Sequence, residues 1–368
     1  MCTCAADGTA TDSATSAAKC GCVTRPGPLY VQAPMVDASE APFRVMVSRG
    51  AAIRDGGWLG GSLQKAPEGA PAVADDTGAP QPRFLTYTQM LHAAHLVNSR
   101  PYRTRWLDLS EKEGPVIVQV SASEPATFAA ATALLSRDEE NFNLIAGVEL
   151  NLGCPQRVAR KGGYGAFLLE ETEQAVQVLA DGVAASRIPV FAKIRLLRSG
   201  LDDTLRLCRA IQATGVSVLT VHGRNREQKG RDPGPADLDA IRAIVEALDI
   251  PVVSNGGVHT SPTDVALVLD RTGAAGHMCA TRLLDDPLTF FPALSAAYRP
   301  VDKALLYLEY VAAFPTVHLR QIKLHLFAFC RSDWDEHPQC RAMMASSRTT
   351  AQMRAALDML RIAVGVRA

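Results

Sequence analysis

The 368-residue sequence has no excess of either charge, because 38 Lys and Arg residues balance 38 Asp and Glu residues. Overall charge therefore gives no argument for nucleic-acid binding, and a nucleic-acid binder with this balance would need a local basic patch. No apolar run reaches the roughly 18 residues of a membrane span, so we expect no membrane association. The first nineteen residues contain one basic residue, Lys19, and no apolar block, so we expect neither a secretory signal nor an Arg-rich transit peptide.

Several catalytic motifs are also missing. The sequence contains no His-Glu-x-x-His, no Gly-x-Ser-x-Gly and no Walker loop. These absences argue against a zinc protease, an α/β-hydrolase and a P-loop nucleotidase. The acidic pairs Asp202-Asp203 and Asp285-Asp286 have the character of helix-start and turn residues, so we expect no metal site.

Cysteine is present but clustered. Four of the nine cysteines lie at the start of the chain, as Cys2, Cys4, Cys20 and Cys22. Two Cys-x-Cys pairs could form a four-thiolate zinc site, but structural zinc sites usually space the pair as Cys-x2-Cys. The Ala, Ser, Thr and Gly between the pairs favour a disordered tail over residues 1–27 with incidental cysteines. We expect a protein of the cytoplasm or the nucleus, where thiols are mostly reduced.

Short apolar runs recur along the chain, and amphipathic stretches follow most of them. Eight runs have the Val, Ile and Leu content of buried parallel strands, namely Leu29–Val36, Phe84–Met90, Pro115–Ser121, Gly147–Gly153, Pro189–Arg195, Val218–Arg224, Pro251–Gly257 and Gly276–Thr281. Helical spacing of apolar residues marks Thr172–Ala185, Asp202–Thr214 and Pro235–Leu248. Eight β-α units predict an α/β fold, a (β/α)8 TIM barrel over residues 28–300. The alternative is a doubly wound open sheet, but no Gly-x-Gly-x-x-Gly follows a strand.

Two regions depart from this alternation. Residues 56–83 are rich in Gly, Pro, Ala and Asp and predict an inserted surface loop. Residues 301–368 lose the strand pattern and predict a small all-helical domain, with helices at Lys303–Phe314, Val317–Phe329, Pro338–Ser346 and Thr350–Val364. This region has nine basic and six acidic residues, a balance equally compatible with a solvated surface and with nucleic-acid binding.

Polar side chains collect at the predicted strand ends. The residues are Gln119, Asn151, Cys154, Lys193, Arg195, His222 and Asn255. A lone cysteine is usually a buried, inert core residue, and a lone lysine usually extends along the surface. Several such groups at one end of a barrel instead indicate a polar ligand, because barrel active sites lie at the carboxyl ends of the strands.

Gly256 and Gly257 follow the seventh strand and precede a predicted helix. Bare backbone N–H groups at a helix N-terminus bind phosphate, and barrels often place a phosphate after strands seven and eight; a simple tight turn is the alternative. A phosphate site near Lys193 suits a phosphorylated flavin. Lys193 would stabilise negative charge on the reduced ring, and Gln119 would bond its pyrimidine edge.

With these residues in view, the chain resembles the tRNA-dihydrouridine synthases, most closely the eukaryotic branch that acts on the D-loop near positions 16 and 17. The similarity runs from about Leu29 to the late helices, outside residues 1–27 and the insert. It is carried by Asn151-Leu152-Gly153-Cys154-Pro155, Tyr164-Gly165-Ala166-Phe167-Leu168, Tyr87-Thr88-Gln89-Met90, Val221-His222-Gly223-Arg224 and Glu227-Gln228-Lys229-Gly230.

The resemblance implies an FMN-binding barrel followed by a helical tRNA-binding domain. It makes Cys154 the general acid. It assigns FMN contacts to Pro34, Met35, Gln119, Lys193, His222, Asn255, Gly256, Gly257, Ala280 and Thr281. It assigns substrate contacts to Asn151, Arg195, Lys229 and Arg231. The chain has Ala280-Thr281-Arg282 where the family usually has Gly-Arg or Ala-Glu-Gly, so the phosphate contacts there depart from the pattern.

The implied activity is reduction of a D-loop uridine to 5,6-dihydrouridine by an NADPH-dependent oxidoreductase. FMN passes hydride to C6 of a flipped uracil, and Cys154 protonates C5. An ordinary thiol is protonated at neutral pH and can donate, whereas a nucleophilic cysteine needs its thiolate. The expected partner is tRNA, with no obligate protein partner. The rivals are an FMN-dependent barrel acting on free pyrimidines, similar to dihydroorotate dehydrogenase, and a non-enzymatic RNA-binding protein on a retired barrel.

Overall fold

A computed structural model describes residues 29–50, 83–107, 109–137, 142–230, 232–258, 263–314 and 317–365. These residues divide into two compact units. The first takes its described residues from Met1–Pro34, Pro80–Val258 and Asp264–Cys279, and the second from Met35–Ala79, His259–Thr263 and Ala280–Ala368. The predicted tail 1–27, its four cysteines and residues 56–82 of the predicted insert lie outside the described residues.

The described residues form nine strands and sixteen α-helices. The strands are β1 Leu29–Gln32, β2 Arg83–Leu85, β3 Leu91–His92, β4 Val116–Ser121, β5 Ile145–Leu152, β6 Val190–Arg195, β7 Val218–His222, β8 Val252–Asn255 and β9 Gly276–Cys279. The helices are α1 Ala41–Arg49, α2 Ala93–Asn98, α3 Arg100–Trp106, α4 Pro125–Leu135, α5 Arg157–Gly162, α6 Thr172–Ala185, α7 Leu201–Ala213, α8 Leu238–Ala247, α9 Thr263–Thr272, α10 Thr281–Asp285, α11 Pro292–Ala297, α12 Pro300–Ala313, α13 Leu319–Phe329, α14 Arg331–Glu336, α15 Pro338–Ser346 and α16 Thr350–Gly365.

All strand pairings in the first unit are parallel, in the order β2-β1-β9-β8-β7-β6-β5-β4-β3. The two ends of this order belong to one stretch of chain, because β2 pairs with β1 while β3 pairs with β4. Between them, Tyr87 forms a parallel bridge with Ile117 of β4. Residues 83–92 therefore occupy one strand position between β1 and β4, which closes a ring of eight positions and confirms the predicted barrel fold.

The strands are buried on both faces, as the continuous apolar runs predicted. All eight residues of β5 are buried, and α6 turns Ala175, Val178 and Leu179 into the core at helical spacing. Each fully buried Val, Leu or Ile side chain contributes about 1.5–3 kcal/mol of apolar burial. This packing fixes the strand register, and the register decides which polar side chains meet inside the barrel.

Some element boundaries differ from the predictions. Arg83, placed at the end of the insert, begins β2 and pairs with β1 through Leu29. The last predicted strand ends at Cys279, and Thr281 begins α10. The four predicted C-terminal helices correspond to α12, α13, α15 and α16, whereas the six-residue helices α11 and α14 were not predicted because they are too short to show a helical period.

The second unit contains α1 as well as the C-terminal helices, so residues 35–50 group with it and not with the barrel span 28–300. The physical reason is a buried polar cluster. Glu40, just before α1, accepts hydrogen bonds from Tyr307 of α12 and His325 of α13. Phe43 of α1 stacks on the His325 ring, with 4.2 Å between ring centroids. Burial alone raises the pKa of Glu40, but the His325 charge and the two hydrogen bonds bring it below its usual value.

In the part of the chain that the structure describes, no helix combines the length and the apolar character that crossing a membrane would require.

Candidate functional site

A fully buried carboxylate, Glu149, lies in the middle of β5. Its Oε2 accepts a hydrogen bond from Gln119 Nε2 at 2.7 Å, and its Oε1 accepts from the Tyr87 hydroxyl at 3.0 Å and from Thr220 Oγ1 at 3.5 Å. These donors come from three other positions of the barrel ring. Burial raises the pKa of Glu149 to about 7, against the opposing effect of the Gln119 hydrogen bond and the Lys193 charge.

A chain of amides leads from this carboxylate to Cys154. Gln119 Oε1 accepts a hydrogen bond from Asn151 Nδ2 at 2.8 Å, and Asn151 Oδ1 accepts from the backbone N–H groups of Gly153 and Cys154 at 3.0 and 2.9 Å. Asn151 is only 8% exposed, and its second amide contact is the Met90 sulfur at 3.2 Å. The structure thus places Asn151 as the residue that orients the loop carrying Cys154.

Cys154 differs from the other described cysteines. Its side chain is partly exposed, whereas Cys208, Cys279, Cys330 and Cys340 are buried. Pro155 follows it and ends the strand, because proline has no N–H for the ladder. Cys154 is therefore not a buried, inert core cysteine. A partly exposed thiol at a strand's carboxyl end can reach a ligand and exchange protons with water.

The Cys154 loop, residues 153–156 between β5 and α5, lies against a glycine. Gly165 has a left-handed φ of 66°, and a Cβ placed there would lie 2.7 Å from the Cys154 carbonyl oxygen. The same carbonyl accepts a hydrogen bond from the Ala166 N–H at 3.1 Å. This close backbone approach explains the glycine in the Tyr-Gly-Ala-Phe motif.

Lys193 of β6 is held by a hydrogen bond across the barrel interior to Asn255 of β8, two strand positions away. Its Nζ donates to Asn255 Oδ1 at 2.8 Å, and Asn255 Nδ2 donates to the Met278 carbonyl at 2.8 Å. Burial lowers the pKa of Lys193 to about 8, with the Glu149 charge opposing this effect. The ammonium group therefore sits among polar groups that hold it in place, and it can lose its proton near neutral pH more readily than a surface lysine.

His222, Arg224 and the two glycines form a second polar group. Burial and then the charges of Lys193, Arg195 and Arg224 hold the pKa of His222 far below its usual range, so the imidazole is neutral. The Arg224 Nη1 atom lies 3.1 Å from His222 Nε2. A Cβ on Gly256 would lie 3.2 Å from Arg224 Nη1 and 3.1 Å from His222 Cδ2. Gly256 and Gly257 both have positive φ, 91° and 93°.

Arg195 is buried, and each of the hydrogen bonds described for its guanidinium is donated to a backbone carbonyl. Nε donates to Gly153 O at 2.8 Å, and Nη1 donates to Asn225 O at 2.9 Å and Gln228 O at 3.2 Å. It therefore ties the loop after β5 to the loop after β7. The exposed Lys229 joins the same two loops, donating to Pro155 O at 3.3 Å. Arg231, the other predicted substrate contact, lies outside the described residues.

The remaining predicted cofactor contacts are split between the units. Pro34 follows β1 in the first unit, next to Ala33, whose N–H donates to the Cys279 carbonyl at 2.8 Å. Met35 and Ala280–Thr281 belong to the second unit. There the Met35 N–H donates to Ser39 Oγ at 2.8 Å, and Ala280 O accepts from the Leu283 N–H at 2.9 Å. Arg282 pairs with Asp286 at 3.3 Å.

Sequence reasoning missed Glu149, Thr220 and Arg224 as site residues. One signal was available for Glu149. In a strand, residues two apart share a face, so Glu149 had to lie on the same face as Asn151. An acidic residue inside an otherwise apolar run was therefore already a sign of a buried polar partner.

The sequence also matches known proteins. The sequence pattern of the dihydrouridine synthase (Dus) family matches residues 31–359. A tRNA-dihydrouridine(16/17) synthase-like protein of Rattus norvegicus is 32% identical over 338 residues, covering 91% of this chain and 67% of the relative. The tRNA-dihydrouridine(16/17) synthase of Saccharomyces cerevisiae is 29% identical over 340 residues, covering 88% and 70%. The names of both relatives include NAD(P)(+).

A bacterial relative, the tRNA-dihydrouridine synthase B of Xanthomonas axonopodis, is 30% identical over 270 residues, covering 72% of this chain and 68% of the relative. The chain thus spans about two thirds of the length of these curated relatives, and 62% of a similar mouse protein.

Proposed function

Because the chain belongs to the dihydrouridine synthase family, whose members are oxidoreductases that modify tRNA, we propose that it reduces D-loop uridines of tRNA to 5,6-dihydrouridine with FMN and NADPH. The observation that carries the proposal is the partly exposed Cys154 thiol just beyond the carboxyl end of β5. The backbone N–H of Cys154 donates to Asn151, and hydrogen bonds continue from Asn151 through Gln119 to Glu149.

The residues present fit a flavin mononucleotide. Gly256 and Gly257 leave backbone open beside the Arg224 guanidinium, and bare N–H groups next to a cation suit a phosphate. Lys193, Asn255 and Gln119 offer an ammonium and two amides, which suit the polar edge of the ring. We propose Pro34 and His222, both in the first unit, as further contacts. When bound, FMN supplies the hydride that reaches C6 of the uracil.

Cys154 acts as the proton donor. Uracil is a weak electrophile, so negative charge develops on its ring as C6 is attacked, and a positioned acid lowers the barrier. The S–H proton moves to C5, and the sulfur regains a proton from water that its partial exposure admits. The base must leave the RNA stack to reach a residue at a strand end. This costs a few kcal/mol, and less in an unpaired loop such as the D-loop.

Replacing Cys154 with Ala tests the assignment. We expect the variant to keep its bound flavin and to lose flavin absorbance at about 450 nm on addition of NADPH at a rate near that of the wild type. Dihydrouridine formation in tRNA should fall by about 10²-fold or more, the usual contribution of a general acid. Cys208→Ala is the matched control, because Cys208 is a buried thiol of α7 and should leave both measurements unchanged.

An equal loss of both measurements in Cys154→Ala would contradict the proton-donor role. Reduction of free uridine or orotate at the rate seen with tRNA would instead identify an enzyme of free pyrimidines. A protein purified without flavin that also takes up none would point to the non-enzymatic RNA-binding alternative.

A further inference from the structure

Three side-chain donors converge on Glu149, which has no access to solvent. No step of the proposed reaction uses it. A buried carboxylate costs several kcal/mol of desolvation unless it is bonded, so its presence in an otherwise apolar strand requires a reason.

The hydrogen bonds around Glu149 have a direction. When Glu149 is ionised, as at pH 8, its carboxylate can only accept, so Gln119 must turn its NH2 group towards it. The Gln119 oxygen then faces the other way and accepts from Asn151 Nδ2. Asn151 in turn presents its oxygen to the N–H groups of Gly153 and Cys154. One carboxylate therefore selects the orientation of two amides and, through them, the backbone that carries the thiol.

An amide has no such preference of its own, because its two ends are nearly equal in size and can exchange places. The Asn255 amide, which accepts from Lys193, is fixed in an analogous way by the Met278 carbonyl, which can only accept. The Gln119–Asn151 pair therefore ends on the ionised Glu149 carboxylate, and the single Asn255 amide ends on a carbonyl. Misplacing a reacting group by about 1 Å can cost roughly 10²-fold in rate.

We propose that Glu149 is a positioning residue for the proton donor, acting through Gln119 and Asn151 to hold the Cys154 loop in one arrangement. This inference rests on the proposed function for its link to tRNA reduction. Its structural part, the placement of the Cys154 thiol, does not depend on that function.

Glu149→Gln tests the proposal with a side chain of the same shape. The new amide can offer Gln119 either an oxygen or an NH2 group, so both orientations of Gln119 become available. At pH 8 we expect the variant to keep its flavin and its NADPH-dependent loss of absorbance. Dihydrouridine formation at saturating tRNA should fall about tenfold or more. The alkylation rate of Cys154 by iodoacetamide, followed by peptide mass spectrometry, should change about threefold or more.

Two further variants make the test specific. Glu40→Gln is the matched control, since Glu40 is also buried and also bonded to a tyrosine hydroxyl but lies in the second unit. It should leave Cys154 alkylation and the NADPH step unchanged. Gln119→Met breaks the next link while leaving Glu149 bonded to Tyr87 and Thr220, and should change Cys154 alkylation as Glu149→Gln does, even if Glu149→Gln fails to fold.

Wild-type alkylation of Cys154 in both Glu149→Gln and Gln119→Met would overturn the proposal. So would an equal fall of the NADPH step and the tRNA step in Glu149→Gln, which would indicate general damage to the site. A wild-type protein that forms no dihydrouridine would refute the proposed function, while the alkylation comparison would still decide the positioning role.

Discussion

Two of the buried carboxylates among the described residues, Glu40 and Glu149, have pKa values shifted in opposite directions. Glu40 faces His325, and the charge and hydrogen bond of that residue bring its pKa below the usual value despite burial. Glu149 is bonded to three neutral side chains, and the positive charge of Lys193 only partly offsets its burial, so its pKa rises to about 7. The hydrogen bonds of Glu40 to Tyr307 and His325 join helices of the second unit. The hydrogen bond of Glu149 to Gln119 instead sets the orientation of the Gln119 amide.

The raised pKa of Glu149 predicts a pH-dependent stability. The native protein holds this proton up to about pH 7, whereas the unfolded chain releases it near the ordinary value of 4.5. Between these values the native state binds more protons, so the free energy of unfolding falls as pH rises. Two other titratable groups act on Glu149. The pKa of Tyr87 is raised well above 10 and that of Lys193 is about 8, so neither group changes charge in this window.

Urea denaturation at pH 5 and pH 7 measures this effect. We expect the wild type to lose on the order of 2 kcal/mol relative to Glu149→Gln between these pH values, since one pKa unit corresponds to about 1.4 kcal/mol. Glu149→Gln lacks the titrating group, so its change in unfolding free energy between the two pH values is the baseline for the wild type. An identical pH dependence in the two proteins would show that Glu149 does not titrate in this range.

At the scale of elements, the site depends on loops that follow the strands. Three groups hold the Cys154 loop. Asn151 accepts from the Cys154 N–H, and Arg195 donates to the Gly153 carbonyl. The Ala166 N–H donates to the Cys154 carbonyl, against which Gly165 also lies. These contacts come from β5, β6 and the turn after α5. The loop is therefore rigid because several elements fix its backbone, and glycine is needed where two backbones meet.

Gly165→Ala should disturb this loop more than Gly163→Ala does. Both residues have nearly the same left-handed φ, 66° and 63°, so both variants carry the same backbone strain of about 1 kcal/mol. Only at position 165 would the added Cβ strike a backbone atom, the Cys154 oxygen at 2.7 Å; at position 163 the nearest atom is 3.8 Å away.

We expect Gly165→Ala to be less stable than Gly163→Ala by roughly 1–3 kcal/mol in urea denaturation, as overpacking predicts, and to slow tRNA reduction selectively. Equal stabilities of the two variants would mean that the loop moves freely to accept the methyl group.

At the scale of the whole molecule, the chain combines a closed barrel with a helical unit that has its own buried centre. Deleting residues 301–368 would remove His325 and Tyr307 and leave the buried Glu40 carboxylate without its partners, which costs several kcal/mol. The proposed tRNA-binding role of this region is therefore better tested by replacing surface charges than by truncation.

Many cations of the helical unit are already paired, for example Arg354 with Glu309 and Arg341 with Asp335. Arg348 and Arg361 are not among these pairs, and we expect them to be available to phosphates. Replacing both with Ser should weaken tRNA binding and reduce the slope of log affinity against log salt by roughly 0.7–0.9 for each phosphate that the variant no longer neutralises. Flavin content should not change.

Arg354→Ser is the control for this measurement, because its partner Glu309 already neutralises it and its removal should alter the salt slope less. A double variant with an unchanged slope would show that these two cations do not bind the phosphates of tRNA.

The local pattern of the sequence was sufficient to predict the barrel and the set of polar residues at its strand ends. Alternating apolar runs and helical periods are set by neighbouring residues, so eight strands and the C-terminal helices could be predicted. The polar residues at strand ends could be predicted in the same way, because parallel strands of a barrel end at one face. Cys154 belonged to this set from the sequence alone.

Only the tertiary structure decided which of these residues touch. The ring closes through residues 83–92, α1 joins the C-terminal helices through Glu40 and His325, and Arg195 bonds carbonyls of two loops. Glu149 meets partners 30 to 71 positions away in the chain. Such contacts depend on strand register and on which strands are neighbours, and a local period of two or 3.6 residues carries no information about either.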